Sequence, residues 1–154
     1  MSAATVRIEG LEQLQKLGPH LVSGPMSRFM RAAGFVVQAH AMTNTRPNVF
    51  DGTVINSFYV HVDPSPIPAK TEIGNSAEHA PYLEKGTRPH FPPVAAIAPW
   101  AQAHGIEPYA LALHISRHGT KAHPFLVPAL NQSKGEIVAL LSVAAAEIEA
   151  LAAV

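Results

Sequence analysis

Residues 26 to 41 read MSRFMRAAGFVVQAHA, and apolar side chains recur in them every three or four positions. These side chains are Met26, Phe29, Met30, Ala33, Val37 and Ala41. The spacing places them on one side of an α-helix, and the preceding Ser23-Gly24-Pro25 supplies a helix start with Pro25 at the first helical position. We therefore predict a long central helix over Met26 to Thr43 whose apolar stripe faces the core.

Two segments downstream have the composition of β-strands. Thr53 to Val62 is rich in β-branched and aromatic residues, and Ala69 to Gly74 has a similar pattern after a connection with three prolines. Because proline cannot continue a strand ladder, this arrangement predicts an antiparallel hairpin with a proline-rich loop.

The turn-rich residues Thr43 to Gly52 are predicted to be a loop. Val6 to Ile8 alternates as a short strand would, and the region of Tyr82 is expected to contribute a further strand.

Further helices are predicted on both sides of these strands. Leu11, Leu14 and Leu17 have helical spacing and precede the helix-breaking pair Gly18-Pro19. Val94 to His104 follows Pro92-Pro93, Pro108 to His118 begins with a proline, and glycine follows each segment, which predicts two short helices. The segment Ala129 to Leu151 carries an apolar stripe and is predicted to be amphipathic.

Together these elements predict one α+β domain over residues 1 to 154. In it an antiparallel sheet packs against the long N-terminal helix and the C-terminal amphipathic helix, with a helical insertion at about 92 to 118. Trp100 within the insertion is expected to belong to the core. The stripe of the last helix implies that Leu140 and Leu141 are buried, and replacing a buried one with alanine is expected to cost about 2 to 5 kcal/mol of stability.

Two similar segments, which we call the Gly-Thr segments, flank the insertion. They are Lys85-Gly86-Thr87-Arg88-Pro89-His90-Phe91 and His118-Gly119-Thr120-Lys121-Ala122-His123-Pro124-Phe125. Each glycine can adopt the positive φ that ends an element, so the two ends of the insertion are expected to lie close together. We predict a paired contact surface in which an exposed phenylalanine lies beside a cation in each segment. The predicted partner-binding residues are Glu84, Arg88, His90, Phe91, Lys121, His123 and Phe125. The alternative is that Phe91 and Phe125 are core residues that fix the insertion.

Composition excludes several functional classes. The 154 residues include 11 lysines and arginines, 11 aspartates and glutamates, and no cysteine. A neutral chain lacks the basic surface of a typical nucleic-acid-binding protein, and without cysteine there is no disulfide, cysteine-ligated zinc or thiol nucleophile. No apolar run reaches the ~18 residues that a membrane span requires, so no membrane association is predicted. Charged residues are only 14% of the chain, which favours a surface that contacts other protein.

The sequence contains no assembled catalytic motif. The histidines His114 and His118 stand four positions apart on a predicted helix, with His123 close by, but no carboxylate accompanies them. We therefore predict no metal site, no cofactor and no catalytic residue. The alternatives are a small His-dependent hydrolase or nuclease that uses His90, Lys121 and His123, and a free-standing dimeric binding module.

Two motifs carry a resemblance to a known family. The first is Tyr-x-Glu-x-Gly-Thr, present at Tyr82, Glu84, Gly86 and Thr87, and the second is His-Pro-Phe-Leu-x-Pro-Ala at His123 to Ala129. With Gly10-Leu11-x-x-Leu14-x-x-Leu17 near the N-terminus, the chain resembles the tail-completion and head-tail joining proteins of long-tailed bacteriophages. These form the "gene ten product" group of lambda-like phages, often described as neck or minor tail proteins.

The resemblance implies a non-enzymatic structural protein of the virion, assembled in the host cytoplasm. Its implied partners are further copies of itself in a homo-oligomeric ring, with a hexamer as one alternative. On one side the ring would meet the phage head connector or adaptor protein, and on the other the tail terminator or tail tube protein. DNA would pass through the ring without specific binding, and a neutral charge suits such a conduit.

Overall fold

The fold is α+β, as predicted. A computed structural model describes residues 2 to 7, 18 to 48 and 51 to 153. In chain order its elements are β1 (Ser2–Arg7), α1 (Pro19–Thr45), a 3-10 turn (Arg46–Asn48), α2 (Thr53–Asn56), β2 (Phe58–Val62), β3 (Lys70–Asn75), α3 (Ala80–Lys85), α4 (Val94–Ala103), α5 (Pro108–His118), α6 (Leu126–Gln132) and α7 (Lys134–Ala152). The predicted helix at Leu11 to Leu17, and Ile8 of the predicted first strand, lie outside the described residues.

Helix α1 is the centre of the molecule and buries the whole predicted stripe from Met26 to Ala41. The prediction of its start was wrong, because the helix begins at Pro19 and Pro25 lies inside it. Proline in a helix interior removes one backbone hydrogen bond and costs about 3 kcal/mol. Burial of Val22 and of Pro25 itself offsets this cost, and Pro19 occupies the first turn instead.

The sheet has the order β1-β3-β2, and both pairs are antiparallel. The predicted hairpin is confirmed as β2 and β3, and Ser2–Arg7 supplies the third strand on the other side of β3. One face of the sheet packs on α1, where Ile73 is fully buried and Gly34 allows close approach of the Val60 side chain. The sheet therefore forms one layer and α1 the next.

Three boundaries in this region differ from prediction. Thr53–Asn56 is a helical turn, because the Asp51 carboxylate accepts the Thr53 N–H at 2.9 Å and fixes the turn locally. The strand therefore begins only at Phe58. The predicted loop from Thr43 is partly helical, since α1 runs to Thr45. The Tyr82 region is helix α3 rather than a strand, with proline in its first turn and Ala80 buried.

The C-terminal helix is divided at Ser133. Its buried hydroxyl donates to the Ala129 carbonyl at 2.7 Å, and α7 begins at the next residue. Helix α7 packs on α1 through a narrow strip that includes Ala144 and Ile148. Leu140 is half-buried but Leu141 lies at the exposed border of the strip, so the expected loss of 2 to 5 kcal/mol does not apply to Leu141.

The insertion is confirmed as a hairpin of α4 and α5. Both helices have the predicted bounds to within one residue, and Gly105 ends the first with a φ of +68°. They pack chiefly on each other rather than on the sheet. In the described ranges, no helix combines the length and apolarity that crossing a bilayer would demand.

Candidate functional site

The two Gly-Thr segments pair with each other at the base of the α4–α5 hairpin. Thr87 and Thr120 form an antiparallel bridge in which the Thr87 N–H donates to the Thr120 carbonyl at 3.1 Å. The Thr120 N–H and hydroxyl both donate to the Thr87 hydroxyl oxygen, at 3.0 and 3.1 Å. The His123 N–H continues the pairing to the Leu83 carbonyl at 2.8 Å. The predicted closeness of the two ends of the insertion is therefore confirmed.

Glycine is required on both sides of this bridge. Gly86 and Gly119 have φ values of +69° and +71°, and a Cβ at either would overlap the backbone carbonyl of the opposite threonine. Side chains are strained at positive φ, and backbone atoms cannot move away as a flexible side chain can. The shared Gly-Thr pattern is therefore explained by mutual backbone contact.

Gly119→Ala is expected to lower the free energy of unfolding by about 2 to 3 kcal/mol, from φ strain plus the collision with Thr87. Gly105→Ala is the matched control, because Gly105 has the same positive φ but no atom near the position of its missing Cβ. It should cost only the strain, about 1 kcal/mol. Urea unfolding of both variants measures the difference, and equal losses would show that the close backbone approach is unimportant.

Glu84 is buried and bonded to the backbone of α6. Its carboxylate accepts the N–H groups of Phe125 at 2.7 Å, Leu126 at 3.0 Å and Val127 at 3.1 Å. These are orphan donors at the start of a helix, where a carboxylate also interacts favourably with the helix dipole. Glu84 therefore fastens the second Gly-Thr segment to α3, and it is not exposed for a partner as predicted.

The two phenylalanines of the Gly-Thr segments have different environments. Phe125 has no exposed surface and meets Phe58 edge to face, with ring centroids 5.6 Å apart. Its predicted exposure was wrong, and the core alternative holds for this residue. Phe91 is 53% exposed and lies 6.1 Å from the Tyr109 ring on the hairpin. Only Phe91 is available as an apolar anchor.

A groove of about 1040 Å³ runs between the α4–α5 hairpin and helix α3, and we call it the hairpin groove. Its lining includes the large apolar side chains Leu83, Ile97, Trp100, Leu111 and Ile115. Trp100 is 39% exposed and stacks on the His104 ring at 4.0 Å, so its expected place in the core was wrong. The groove is therefore an apolar concavity at the surface.

The polar lining of the hairpin groove is basic or titratable. It contains Arg88 and Lys121, one from each Gly-Thr segment, and five of the nine histidines. These histidines are His79, His90, His104, His114 and His123. No aspartate or glutamate is among the described residues that line it. Such a lining attracts carboxylates or other anions.

The histidine pair on α5 does not form a metal centre with other side chains. The His114 and His118 rings stack with centroids 4.5 Å apart, and the His118 Nδ1 lies 3.1 Å from the His114 carbonyl oxygen. Over the ranges 2 to 7, 18 to 48 and 51 to 153, no three histidine, aspartate or glutamate side chains converge as metal ligands would.

Two side chains outside the groove have shifted pKa values. Partial burial, with the neighbouring Glu72 carboxylate, raises the pKa of the Tyr59 phenol above its usual value. The hydrogen bond from the Thr53 N–H lowers the pKa of the exposed Asp51 carboxyl. Tyr59 belongs to the sheet and Asp51 to the turn before α2, so both shifts reflect local structure rather than groove chemistry.

Of the seven residues predicted to bind partners, Arg88, His90, Lys121 and His123 line the hairpin groove. Phe91 lies exposed beside it, whereas Glu84 and Phe125 are buried. Sequence reasoning missed the contributions of Trp100 and His104. The four-residue spacing of these two rings on α4 was the available signal, since it predicts that they share one helix face.

No protein-family model, curated protein or solved structure matches the chain.

Proposed function

We propose that the chain is a non-enzymatic structural component of a bacteriophage particle, a tail-completion or head-tail joining protein of the neck. In this function it assembles as a ring between the head connector and the tail tube, and the hairpin groove and Phe91 contact neighbouring protein. The proposal begins from the resemblance of two motifs, Tyr-x-Glu-x-Gly-Thr and His-Pro-Phe-Leu-x-Pro-Ala.

The observation that carries the proposal is that these two motifs form one structural unit. Glu84 of the first accepts three N–H groups at the start of the helix that the second begins, and Thr87 pairs with Thr120 just before it. The only carboxylate of the two motifs is thus engaged by backbone N–H groups. A folding role accounts for these contacts without any catalytic role for Glu84.

The surface of the hairpin supports a contact function. Phe91, Trp100, Ile106 and Tyr109 are all large, apolar and exposed there. Aromatic side chains beside cations are enriched in the cores of protein interfaces, and an exposed cluster of them is characteristic of a binding site. The hairpin is therefore the part of the domain best suited to contact another subunit or a neck protein.

The alternative is a small His-dependent hydrolase or nuclease, and the five histidines of the groove favour it. Their chemistry would require a carboxylate or hydroxyl partner to orient the base. No carboxylate is found among the described lining residues, and the hydroxyls of Thr87 and Thr120 in the lining are hydrogen-bonded to each other. Cleavage of DNA, RNA or an ester by purified protein, lost on His114→Ala or His123→Ala, would establish the alternative.

Complementation of a phage that lacks this gene tests the proposed function. The double variant Arg88→Glu/Lys121→Glu should fold, because both side chains are exposed. It should lower the yield of infectious particles at least about tenfold, which is the factor that corresponds to a loss of 1.4 kcal/mol of contact energy. The matched control is Arg7→Glu/Arg31→Glu, which makes the same charge change on exposed residues of β1 and α1. Equal yields from the two variants would place the contact elsewhere on the domain.

A further inference from the structure

The hairpin groove has the chemistry of a receptor for an acidic, apolar segment. Its walls are largely aliphatic, its fixed charges are Arg88 and Lys121, and its described lining has no acidic residue. A nucleic-acid strand would require a cation for each of several phosphates, and two fixed cations on an apolar wall do not provide them. A helix whose apolar face carries a carboxylate satisfies both the walls and the charges.

The same chain exposes such a helix. On α7 the residues Val138, Leu141, Ala145, Glu149 and Ala152 follow one another at three or four positions and are all exposed. We call this row the α7 stripe. It lies beside the buried strip that packs on α1, and a hollow of about 480 Å³ runs along it. Val138 is 63% exposed in the second turn of the helix.

Charge is distributed so that the two surfaces complement each other. The groove lining carries Arg88 and Lys121 and no described acidic residue, whereas the α7 stripe carries one carboxylate, that of Glu149. The other two glutamates of α7, Glu136 and Glu147, pair with His40 and Arg28 of α1 instead. The last turn of α7 has no basic residue, so its carbonyl groups and their partial negative charge are not compensated within the helix. Arg88 and Lys121 would supply that compensation.

We infer that the α7 stripe of one copy docks in the hairpin groove of the next copy. The inference deepens the proposed function and rests on it for the identity of the occupant, since a ring of identical subunits needs two different complementary surfaces on each chain. About four turns of α7, some 21 Å from Val138 to Ala152, carry the stripe. The contact is head-to-tail, because groove and stripe are different parts of the chain.

Mixing two full-length variants tests this contact. The groove variant Arg88→Glu/Lys121→Glu keeps an intact α7, and the helix variant Val138→Lys/Glu149→Lys keeps an intact groove. Wild-type protein should self-associate between about 1 μM and 1 mM in sedimentation, and each variant alone should do so at least tenfold more weakly. An equimolar mixture should form a dimer that does not grow further, because only one intact groove meets one intact helix.

Trp100 reports the same event at the site itself. It is the only tryptophan of the chain and it lines the hairpin groove, so its emission should move to shorter wavelength as the dimer forms. Arg7→Glu/Arg31→Glu should behave as wild type in both measurements. Circular dichroism of each variant, unchanged in shape and melting, establishes that weaker association does not come from unfolding.

Several results would overturn the inference. These are a wild type that stays monomeric throughout, variants that associate as wild type does, or a mixture that is no more associated than its components. A Trp100 shift caused by a single-stranded oligonucleotide, without one on self-association, would assign the groove to nucleic acid instead. None of these results decides head-tail joining, which the complementation yield measures separately, so failure of the inference is distinguishable from failure of the proposed function.

Discussion

Phe125→Ala should lower the free energy of unfolding by about 3 to 5 kcal/mol, the range for truncation of a fully buried phenylalanine. The ring is enclosed in the main core and packs edge to face on Phe58. Its removal leaves a cavity that the surrounding backbone cannot fill, because the same segment is fixed by the Glu84 carboxylate. Denaturant unfolding followed by circular dichroism gives the value directly.

Phe91→Ala is the matched control, since Phe91 occupies the equivalent position of the other Gly-Thr segment. It is 53% exposed and should cost no more than about 1 kcal/mol of stability. We expect this variant to fold and to lose partner contact instead. Equal destabilisation by the two changes would contradict the assignment of Phe125 to the core and of Phe91 to the surface.

Glu84→Ala should cost about 3 to 4 kcal/mol, because it leaves three N–H groups at the start of α6 without their acceptor. Two of them belong to the buried residues Phe125 and Leu126, which limits replacement by water. The expected structural effect is local: α6 and the second Gly-Thr segment lose protection from hydrogen exchange before β3 and α1 do.

Two further variants define the cause of that loss. Glu84→Gln keeps one oxygen acceptor and should lose less stability than Glu84→Ala. Glu78→Ala removes an exposed carboxylate six residues away and should change stability by less than about 0.5 kcal/mol. If Glu84→Ala instead unfolds at the wild-type denaturant concentration, the three hydrogen bonds contribute nothing net.

The bounds of the hairpin insertion could be predicted because local chemistry determines them. Proline immediately before α4 and at the first position of α5, with glycine after each helix, fixes where the two helices begin and end. The central stripe of α1 was also predictable, since its period is sustained over 16 residues. Its start was not, because Val22 is buried by tertiary contacts that outweigh a proline inside the helix.

Helix α3 shows why the site itself was harder to predict. Six residues are too few for a helical period, and the decisive side chain, Glu84, is satisfied only by N–H groups that lie more than 40 positions downstream. The prediction that Phe91 and Phe125 have similar environments was wrong for the same reason. The shared Gly-Thr pattern fixes the backbone pairing of the two Gly-Thr segments. Burial of each phenylalanine depends instead on the residues it packs against, and Phe125 packs on Phe58.

Electron microscopy of particles made without this protein tests the proposed neck function most directly. If the chain completes the neck, a phage that lacks its gene should accumulate filled heads and separate tails, and wild-type protein supplied from a plasmid should restore joined particles. Arg88→Glu/Lys121→Glu should leave heads and tails separate, while Arg7→Glu/Arg31→Glu should restore joining. Normal joined particles in the complete absence of the chain would contradict the function.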